Sequence, residues 1–371
     1  MPHLQRFTPH VQSYMESLAN IRRKIDALDA RMVKLLAERA KIAQAVGRIK
    51  GGKGIYRPER EAQVLRRVSE LNARNRGPMP AAGVRRIYTE IMSACRALED
   101  LLAVAYLGPQ GTYSQEAAIR HFGGSIDTRS CTNIDEVFKA VETGATGYGV
   151  VPVENSTEGA IGRTLDLLLT TPARVCGEIM LPVRQNLMSK AKNRAAIKKV
   201  YSHTQSLAQC QHWLTRNLPN AERIAVVSNA EAALLASRDA KAGAIASKTA
   251  AELYKLNLLA RNIQDEARNT TRFLVLSRED VAPSGRDKTS LILSTRNVPG
   301  AIHDLLAPLA KNGVSMTRLE SRPAKTGLWE YVFYIDIEGH AQDATVARAL
   351  AAIERKASFV KNLGSYPSAK L

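Results

Sequence analysis

The stretch KLLAERAKIAQAVGRIK, residues 34–50, decides the fold of the N-terminal segment. Together with the residues before it, it spaces apolar side chains by threes and fours, which predicts one long amphipathic helix. The apolar seam comprises Leu18, Ile21, Ile25, Leu28, Met32, Leu35, Ile42, Val46 and Ile49. The rhythm requires an apolar residue at position 39, where the sequence has Arg39. A guanidinium on a buried seam is costly unless an anion meets it, so the helix is expected to bind one.

The spacing of basic residues along this helix suggests how large the anion could be. Lys50 follows Arg39 by eleven residues, which returns to nearly the same face ~16 Å further along the axis. Arg22 also borders the seam, but it precedes Arg39 by ~25 Å and could reach the same ligand only from an antiparallel second copy. The alternatives are a seam that slips by one position, leaving Arg39 on the surface, and solvated surface charges at Arg22 and Lys50.

Length, charge and cysteine content limit the class of protein. The 371 residues are enough for two or three domains, and the net charge is +18. Residues 1–100 contain 20 Lys/Arg and 10 Asp/Glu, an excess of +10 that fits nucleic acid, a membrane surface or small polyanionic substrates. There is no apolar run of 18 residues and no apolar middle of a signal peptide, so we expect a cytoplasmic protein. The four widely spaced cysteines predict reduced thiols and no metal site.

The order of predicted elements divides the chain into three domains. Residues 1–102 read as three helices without a strand (13–50, from Pro58, and about 84–102), a bundle so thin that we expect it to pair with a second copy. Residues 103–282 alternate strand-like and helical runs, which argues for an α/β domain with a largely parallel sheet. Residues 288–371 read as βαββαβ, a ferredoxin-like module.

Three polar, glycine-rich stretches border predicted strands of the central domain. They are GPQGTYSQEAA (108–118), PVENSTEGAIG (152–162) and NTTRFLVLS (269–277). Ligands of open α/β sheets collect at strand ends, and the first stretch feeds a helix whose N-terminal amides favour an anion. Each stretch alone can also be turn chemistry or a strand edge. Taken together, they predict a ligand site.

The helical segment resembles the all-helical chorismate mutase family. The resemblance rests on IRRKIDALDARMVKLLAERAKIAQAVGRIK (21–50) followed by YRPERE (56–61). In that family three-helix chains dimerise by interlocking, and each active site takes one arginine from the partner. The reaction rearranges chorismate to prephenate without a nucleophile, metal or cofactor. Such an enzyme holds a compact conformer of the substrate and stabilises the charge that develops as the C–O bond breaks.

The resemblance implies a role for each polar residue of the motif. Arg22 would cross the dimer, and Arg39 and Arg60 would bind substrate carboxylates. Lys50 would hydrogen-bond the ether oxygen, and Glu61 would contact the ring hydroxyl.

Two further site positions lie on the predicted third helix and depart from a common version of the motif. Cys95 and Glu99 stand where many members carry serine and glutamine. Glu99 would have to be protonated to donate a hydrogen bond to the ether oxygen.

The central domain resembles prephenate dehydratase. The motifs GPQGTYS, PVEN and TRF occur in the order of that family, with YSHTQSLAQC (201–210) between the last two. The resemblance implies two α/β lobes around a cleft, similar to periplasmic binding proteins, with the chain crossing out and back. It implies loss of water and carbon dioxide from prephenate to give phenylpyruvate.

Within the TRF signature, Thr271 would lie nearest the departing hydroxyl, and Arg272 would clamp a carboxylate, with Phe273 beside them. The other polar residues that the resemblance places at the site are Glu154, Asn155, Ser202 and Gln209. Threonine is a poor acid unaided. His203 is another possible proton donor, although a lone histidine at a strand end is more often structural.

The C-terminal module resembles an ACT domain, which binds amino acids. The recognised pieces are a turn before the first helix, here Gly300, Ala301 and Ile302, and ESRP on the next strand. ESRP comprises Glu320, Ser321, Arg322 and Pro323. Backbone groups at the turn would hold the effector carboxylate, and phenylalanine is the expected effector. The alternative is a purely structural domain that dimerises.

These resemblances cover nearly the whole chain in the order of fused chorismate mutase–prephenate dehydratases. The expected partners are chorismate, prephenate, phenylalanine and at least one further copy of the chain, with no nucleic acid and no membrane. The rival interpretation is a basic nucleic-acid-binding regulator with a ligand-sensing domain. It fits poorly, because aromatic residues make up 5% and the key basic residues border a seam instead of covering one face. A chain with one silent catalytic half is a third possibility that no residue favours.

Overall fold

The N-terminal segment folds into three helices. The computed structural model describes residues 9–50, 54, 56–324 and 331–369, apart from the side chains of residues 9–17 and 50. The helices are α1 (Pro9–Lys50), α2 (Pro58–Arg74) and α3 (Ala81–Ala97). Pro58 opens α2, where its missing N–H costs nothing. Helix α3 ends before position 102, because Leu101 and Leu102 lead directly into the first strand.

Helix α1 leaves most of its apolar seam uncovered in the single chain. Ile25, Leu28 and Met32 are each exposed by more than half, at 51%, 54% and 55%. The part of the helix that packs on α3 is its C-terminal half, where Arg39 contacts Cys95 and Gly47 lies against Glu99. An apolar stripe of this length in water is typical of a surface that another chain covers.

The central domain consists of two α/β lobes. The first lobe holds β1 (Ala103–Leu107), α4 (Tyr113–Phe122), β2 (Asp127–Cys131), α5 (Ile134–Glu142), β3 (Tyr148–Asn155), β4 (Gly159–Ala160), α6 (Gly162–Thr170) and β5 (Arg174–Pro182). The second lobe holds β6 (Asn186–Ser189), β7 (Lys199–His203), α7 (Thr204–Gln209), α8 (Gln211–Asn217), β8 (Glu222–Val226), α9 (Asn229–Ala236), β9 (Ala242–Ala246), α10 (Lys248–Leu253) and β10 (Asn257–Ala260). The chain then returns to the first lobe as β11 (Thr270–Ser277).

Both sheets are mixed, which corrects the expectation of a largely parallel sheet. The strand orders are β2-β1-β3-β11-β5, with β4 paired to β3, and β10-β6-β9-β7-β8. Strand β1 is parallel to β2 and β3, whereas β11 is antiparallel to both of its neighbours. In the second sheet β6 is antiparallel to β9 and β10. The antiparallel strands flank the two crossings between lobes, at residues 183–185 and 261–269, so the chain direction reverses there.

Strand β11 separates two apolar cores by the alternation of its side chains. Phe273 and Val275 belong to the core that faces α4, and Leu274 and Leu276 belong to the core on the opposite face. The second of these cores continues into the C-terminal domain through Tyr366 and neighbouring side chains. The two domains therefore share one packed interior.

The C-terminal domain has the element order βαββαβ. Its elements are β12 (Asp287–Ser294), α11 (Ala301–Lys311), β13 (Met316–Pro323), β14 (Tyr331–Glu338), α12 (Ala344–Glu354) and β15 (Phe359–Pro367). The four strands form an antiparallel sheet in the order β13-β14-β12-β15, and α11 and α12 pack on one of its faces. Across the described residues of all three domains, no helix combines the length and the apolar character that crossing a bilayer requires.

Candidate functional sites

A first polar cluster lies where α1, α2 and α3 meet. The Arg39 guanidinium donates to Cys95 Sγ at 2.9 Å, and Arg39 is partly buried as its place in the seam predicts. Gly47 faces the Glu99 carboxylate so closely that any side chain at position 47 would overlap it. The structure therefore brings together Arg39 of α1, Cys95 of α3 and Glu99, which lies in the turn after α3 and not on the helix as predicted.

Glu61, near the start of α2, joins this cluster through its charge. It forms an ion pair with Arg96 of α3, and the side chains are exposed by only 15% and 8%. Burial raises the pKa of Glu61, and the charges of Arg96 and Arg39 act against that rise. The carboxylate is thus held in place by a residue that the sequence did not single out.

Two predicted residues of this cluster are exposed in the single chain, and a third lies outside the described side chains. Arg22 and Arg60 are exposed on α1 and α2. The Lys50 side chain lies outside the described residues. Among the described side chains, the cluster therefore includes Arg39, Glu61, Cys95 and Glu99.

A second site forms where the strand ends of the two lobes meet. Asn155 closes β3, and its Nδ2 donates to Thr271 Oγ1 and to Asn269 Oδ1, each at 2.8 Å. Asn155 Oδ1 accepts from the backbone amides of Thr157 and Glu158 at 3.0 and 3.2 Å. Since Asn155 is fully engaged and only 8% exposed, it fixes the position of the Thr271 hydroxyl.

The polar network continues from Asn269 into the second lobe. Gln209 Oε1 accepts from Asn269 Nδ2 at 2.9 Å and from Gln185 Nε2 at 3.3 Å. Gln185 Nε2 also donates to Ser206 Oγ at 2.9 Å, which in turn accepts from Asn229 Nδ2 at 2.8 Å. Asn229 Oδ1 accepts from Ser202 Oγ at 2.8 Å. Asn155, Ser202, Gln209 and Thr271 therefore belong to one hydrogen-bonded chain.

The remaining network residues, Gln185, Ser206, Asn229 and Asn269, were not predicted. Tyr113 completes the set, because its hydroxyl donates to Arg184 O at 2.8 Å and approaches Gln185 Oε1 at 3.1 Å. Asn269 could have been found from strand alternation, since it precedes Thr271 by two positions. Ser206 lies within the YSHTQSLAQC stretch without having been singled out, and Gln185 and Asn229 belong to none of the quoted motifs.

The geometry leaves the Thr271 hydroxyl proton available to a ligand. Its oxygen accepts from Asn155, and among the described residues it donates no hydrogen bond. His203 has a local role, because its Nδ1 accepts from the Gln205 amide at 3.4 Å at the start of α7. The arrangement therefore suits Thr271 as a hydrogen-bond donor to a ligand, and it gives His203 a structural role at the start of α7.

Arg272, which the sequence analysis predicts to clamp a carboxylate, does not share a face with Thr271. It follows Thr271 on β11 and therefore points to the opposite face of the sheet. Its Nε and Nη2 bind Glu178 Oε2 at 2.9 and 2.8 Å, Nη1 binds Asp336, and Nη2 donates to Tyr366 Oη at 3.0 Å. The guanidinium is thus committed to the junction with the C-terminal domain.

Two other predicted residues of this site also face protein. Glu154 lies across the sheet from Arg272 and pairs with Arg318 at 2.7 Å. Phe273 is 2% exposed in the core against α4. Both therefore connect packed surfaces, whereas Asn155 and Thr271 face the network.

A third site is a cavity of about 1210 Å³ between the C-terminal domain and α6. The predicted turn contributes Gly300, Ala301 and Ile302, and β13 contributes Ser321. Gly300 adopts φ +78°, a left-handed conformation that favours glycine, and directly precedes α11. Leu169 and Thr170 of α6 close the cavity from the dehydratase-like side.

The ESRP residues divide between two faces of β13. Arg318, Glu320 and Arg322 are partly buried, whereas Leu319, Ser321 and Pro323 are exposed. Arg322 pairs with Asp166 of α6 at 3.2 Å, so it faces the central domain. Of the four ESRP residues, Ser321 lines the cavity, and Glu320, Arg322 and Pro323 do not.

Comparisons with known proteins agree with this division of the chain. Residues 21–100 match the family of type II chorismate mutases, residues 104–281 match prephenate dehydratase, and residues 289–355 match the ACT domain. A bifunctional chorismate mutase/prephenate dehydratase from Neisseria gonorrhoeae is 53% identical over 97% of this chain and 99% of its own length. Another from Stutzerimonas stutzeri is 47% identical over 97% of this chain and 100% of its own length.

A solved structure shows the same fold for the two C-terminal domains. It is a prephenate dehydratase from Arthrobacter aurescens in complex with L-Phe, with 34% identity and a TM-score of 0.67. The similarity covers 72% of this chain and 90% of that one.

The three domains and their sites define a multidomain enzyme, with an isomerase and a lyase fused to an amino-acid-binding module. The chain belongs to the family of bifunctional chorismate mutase/prephenate dehydratases. It rearranges chorismate to prephenate, then dehydrates and decarboxylates prephenate to phenylpyruvate on the route to phenylalanine.

Proposed function

We propose that the mutase site is assembled from two interlocked chains. The supporting observation is the uncovered seam of α1, which places apolar side chains and the exposed Arg22 where a second copy could cover them. An antiparallel copy would bring its Arg22 to the cluster around Arg39, which is ~25 Å away on the same helix.

In this assembly the cations meet a dianionic substrate inside an apolar groove. Arg39, Arg60 and Arg22 of the second copy bind the two carboxylates, which holds the reactive conformer of chorismate. Lys50 and a protonated Glu99 donate to the ether oxygen as the C–O bond lengthens, and Glu61 accepts from the ring hydroxyl. Cys95 keeps Arg39 oriented through the contact to its sulfur.

For the dehydratase step, Thr271 donates to the departing ring hydroxyl. The network from Asn155 to Gln209 supports this role, because it fixes the threonine oxygen while leaving its proton free. Aromatisation then drives the loss of carbon dioxide. With Arg272 committed elsewhere, the first-turn amides of α4 beside Tyr113 bind the carboxylate, as the charge distribution at a helix N-terminus favours.

The C-terminal domain serves as the phenylalanine sensor. The strand order of its sheet supports a ferredoxin-like fold, and the cavity offers amides at Gly300 and Ala301 for the carboxylate and apolar side chains such as Phe333 for the ring. We assign residues 1–102, 103–282 and 288–371 to the three domains, in a cytoplasmic homodimer or larger homo-oligomer that uses no cofactor. Phenylalanine then favours the less active state.

One experiment tests these assignments together. Purified protein is given chorismate, and chorismate consumption and phenylpyruvate formation are followed with and without phenylalanine. We expect both products to form in sequence, phenylpyruvate formation to fall with phenylalanine, and calorimetry to show phenylalanine binding. A protein that forms phenylpyruvate but neither binds phenylalanine nor is inhibited by it would contradict the sensor assignment.

A further inference from the structure

Arg96 lies at the contact between the mutase and dehydratase domains. It is on α3, directly after Cys95, and only 7% of it is exposed. Its Nη1 binds the Glu61 carboxylate, and its Nη2 binds the backbone carbonyl of Phe122 in α4. One planar guanidinium therefore bridges a predicted mutase residue and the dehydratase domain.

The dehydratase partner of Arg96 suits a cation. Phe122 is the last residue of α4, where helix carbonyls lack intrahelical partners and the helix dipole is negative. Tyr56 lies beneath the guanidinium, with its ring centroid 5.3 Å from Arg96 Cζ. The Tyr56 hydroxyl is in turn 2.7 Å from His121 Nε2, also on α4.

Helices α3 and α4 pack closely against each other around Arg96. Gly123, which ends α4 at φ +80°, lies so near Ser93 of α3 that a side chain at position 123 would overlap it. Ser93 Oγ accepts from the Ser125 amide at 3.1 Å, and Glu90 accepts from the Gly124 amide at 2.9 Å. The end of α4 is therefore fixed against α3 at several points around Arg96.

We propose that Arg96 is a positioning residue for the mutase reaction, which holds Glu61 in its working orientation by anchoring it to the C-terminal end of α4. The dehydratase domain is thereby part of the framework of the mutase site. This inference rests on the proposed contact between Glu61 and the ring hydroxyl of chorismate.

The charged and titratable groups around Glu61 make the role measurable. They are Arg96 from α3, Arg39 from α1, Tyr56 from the segment before α2, and Tyr148 from β3. Arg96 is the partner in direct contact. Without its charge the buried carboxylate takes up a proton at higher pH, so the acid side of the mutase pH profile moves upward.

The test uses full-length Arg96→Met and Arg96→Lys, with Arg86→Met on the exposed face of the same helix as the control. Mutase and dehydratase rates are measured separately on each variant, from pH 5 to 9. For Arg96→Met we expect mutase kcat/KM to fall roughly 10- to 100-fold, the range for losing a hydrogen bond to a charged group. The fall appears mainly in kcat, the acid limb shifts upward, and dehydratase turnover stays within about twofold.

Arg96→Lys keeps the charge but cannot span both partners as a planar fork does, so we expect a smaller fall and little shift of the acid limb. If Arg96→Met abolishes both activities through misfolding, Arg96→Lys decides the question. A lysine variant with normal mutase kcat and intact dehydratase activity then overturns the proposal.

Glu61→Gln separates this proposal from the assignment on which it rests. If Glu61→Gln lowers the mutase rate while Arg96→Met leaves both the rate and the pH profile unchanged, the positioning role is wrong and the role of Glu61 stands. If Glu61→Gln has no effect either, the assignment of Glu61 fails, and the positioning role fails with it.

Discussion

The mutase cluster and the dehydratase network differ in how much of the site one chain provides. In the dehydratase network, residues from both lobes are linked by hydrogen bonds from Thr271 through Asn155 and Gln209 to Ser202. In the mutase cluster, Arg39 and Glu61 are in place, whereas Arg22 and the apolar seam of α1 are exposed. In the single chain, hydrogen bonds within the fold complete the dehydratase network, whereas the apolar seam of α1 and Arg22 are left exposed.

The largest effect is expected from removal of the Thr271 hydroxyl, on which the proposed dehydratase site depends. Thr271→Ala should lower dehydratase kcat roughly 1000-fold, within the range of lost proton-transfer catalysis, and leave mutase turnover unchanged. The control is Thr270→Ala, whose hydroxyl instead lies 3.4 Å from Arg268 O. Separate assays on chorismate and prephenate measure both rates. Equal loss of both activities would refute the division of labour.

Arg272→Met tests whether this arginine stabilises the domain junction or binds substrate. Breaking its pairs leaves Asp336 buried without a cation and Glu178 with Lys288 as its remaining cation, which should lower the free energy of unfolding by about 3 kcal/mol. Arg318→Met, whose partner Glu154 has a side chain 39% exposed, should cost much less. Urea unfolding measures both. A stable Arg272→Met protein with a greatly raised KM for prephenate would instead support the predicted role of Arg272 in binding a substrate carboxylate.

Leu28→Glu on the uncovered seam tests whether the mutase site needs a second chain. A carboxylate at a position that the partner buries should separate the chains, and mutase kcat/KM should fall roughly 100-fold through loss of a cation from the other copy. Dehydratase activity should persist. Lys34→Glu, an exposed position away from the seam, is the control. Sedimentation velocity reports the oligomer, and an active monomer would show that one chain suffices.

A smaller effect is expected at the contact between the two catalytic domains as the pH falls. Burial, followed by the charge of Arg96, lowers the pKa of His121 to about 4. Between the ordinary histidine pKa and that value the unfolded chain binds more protons, so stability is full above about pH 6.5 and declines toward pH 4. We expect the free energy of unfolding to fall by about 2 kcal/mol over this range, and His121→Gln should reduce that fall. Denaturant unfolding at pH 7 and pH 4.5 measures it.

The smallest expected effect concerns the shape of the mutase pH profile. Glu99 must carry a proton to donate to the ether oxygen, whereas an amide donates at every pH. Glu99→Gln should therefore flatten the alkaline fall in mutase rate and change the rate by only a few-fold near neutral pH. An identical profile in both proteins would remove Glu99 from the site.

The sequence was sufficient for the three N-terminal helices, the alternation of strands and helices in the central domain and the βαββαβ order of the C-terminal domain, because residue patterns reflect periodic burial. Helix α2 begins at Pro58 as predicted, and Arg39 is partly buried in the seam. Strand β2 carries no such signal, because Asp127–Cys131 is polar and largely exposed. Strand direction was also beyond reach, since a run of apolar residues has the same pattern whether its neighbours are parallel or antiparallel.

The residues of the candidate sites could likewise be predicted only in part from the sequence. Thr271 and Asn155 were recognised by their motifs, but Gln185 and Asn229 occur singly and become partners only through the crossing of the lobes. The separation of Arg272 from Thr271 could have been anticipated, because adjacent residues of a strand face opposite sides of the sheet. A motif identifies neighbours in sequence, and the pleat of the strand decides which of them share a face.

The adjacency of Thr271 and Arg272 has a mechanical consequence. One peptide unit joins the hydroxyl aimed at the substrate to the guanidinium gripped by Asp336 on the neighbouring sheet. The strand that carries Thr271 is therefore tied directly to the C-terminal domain at the next residue.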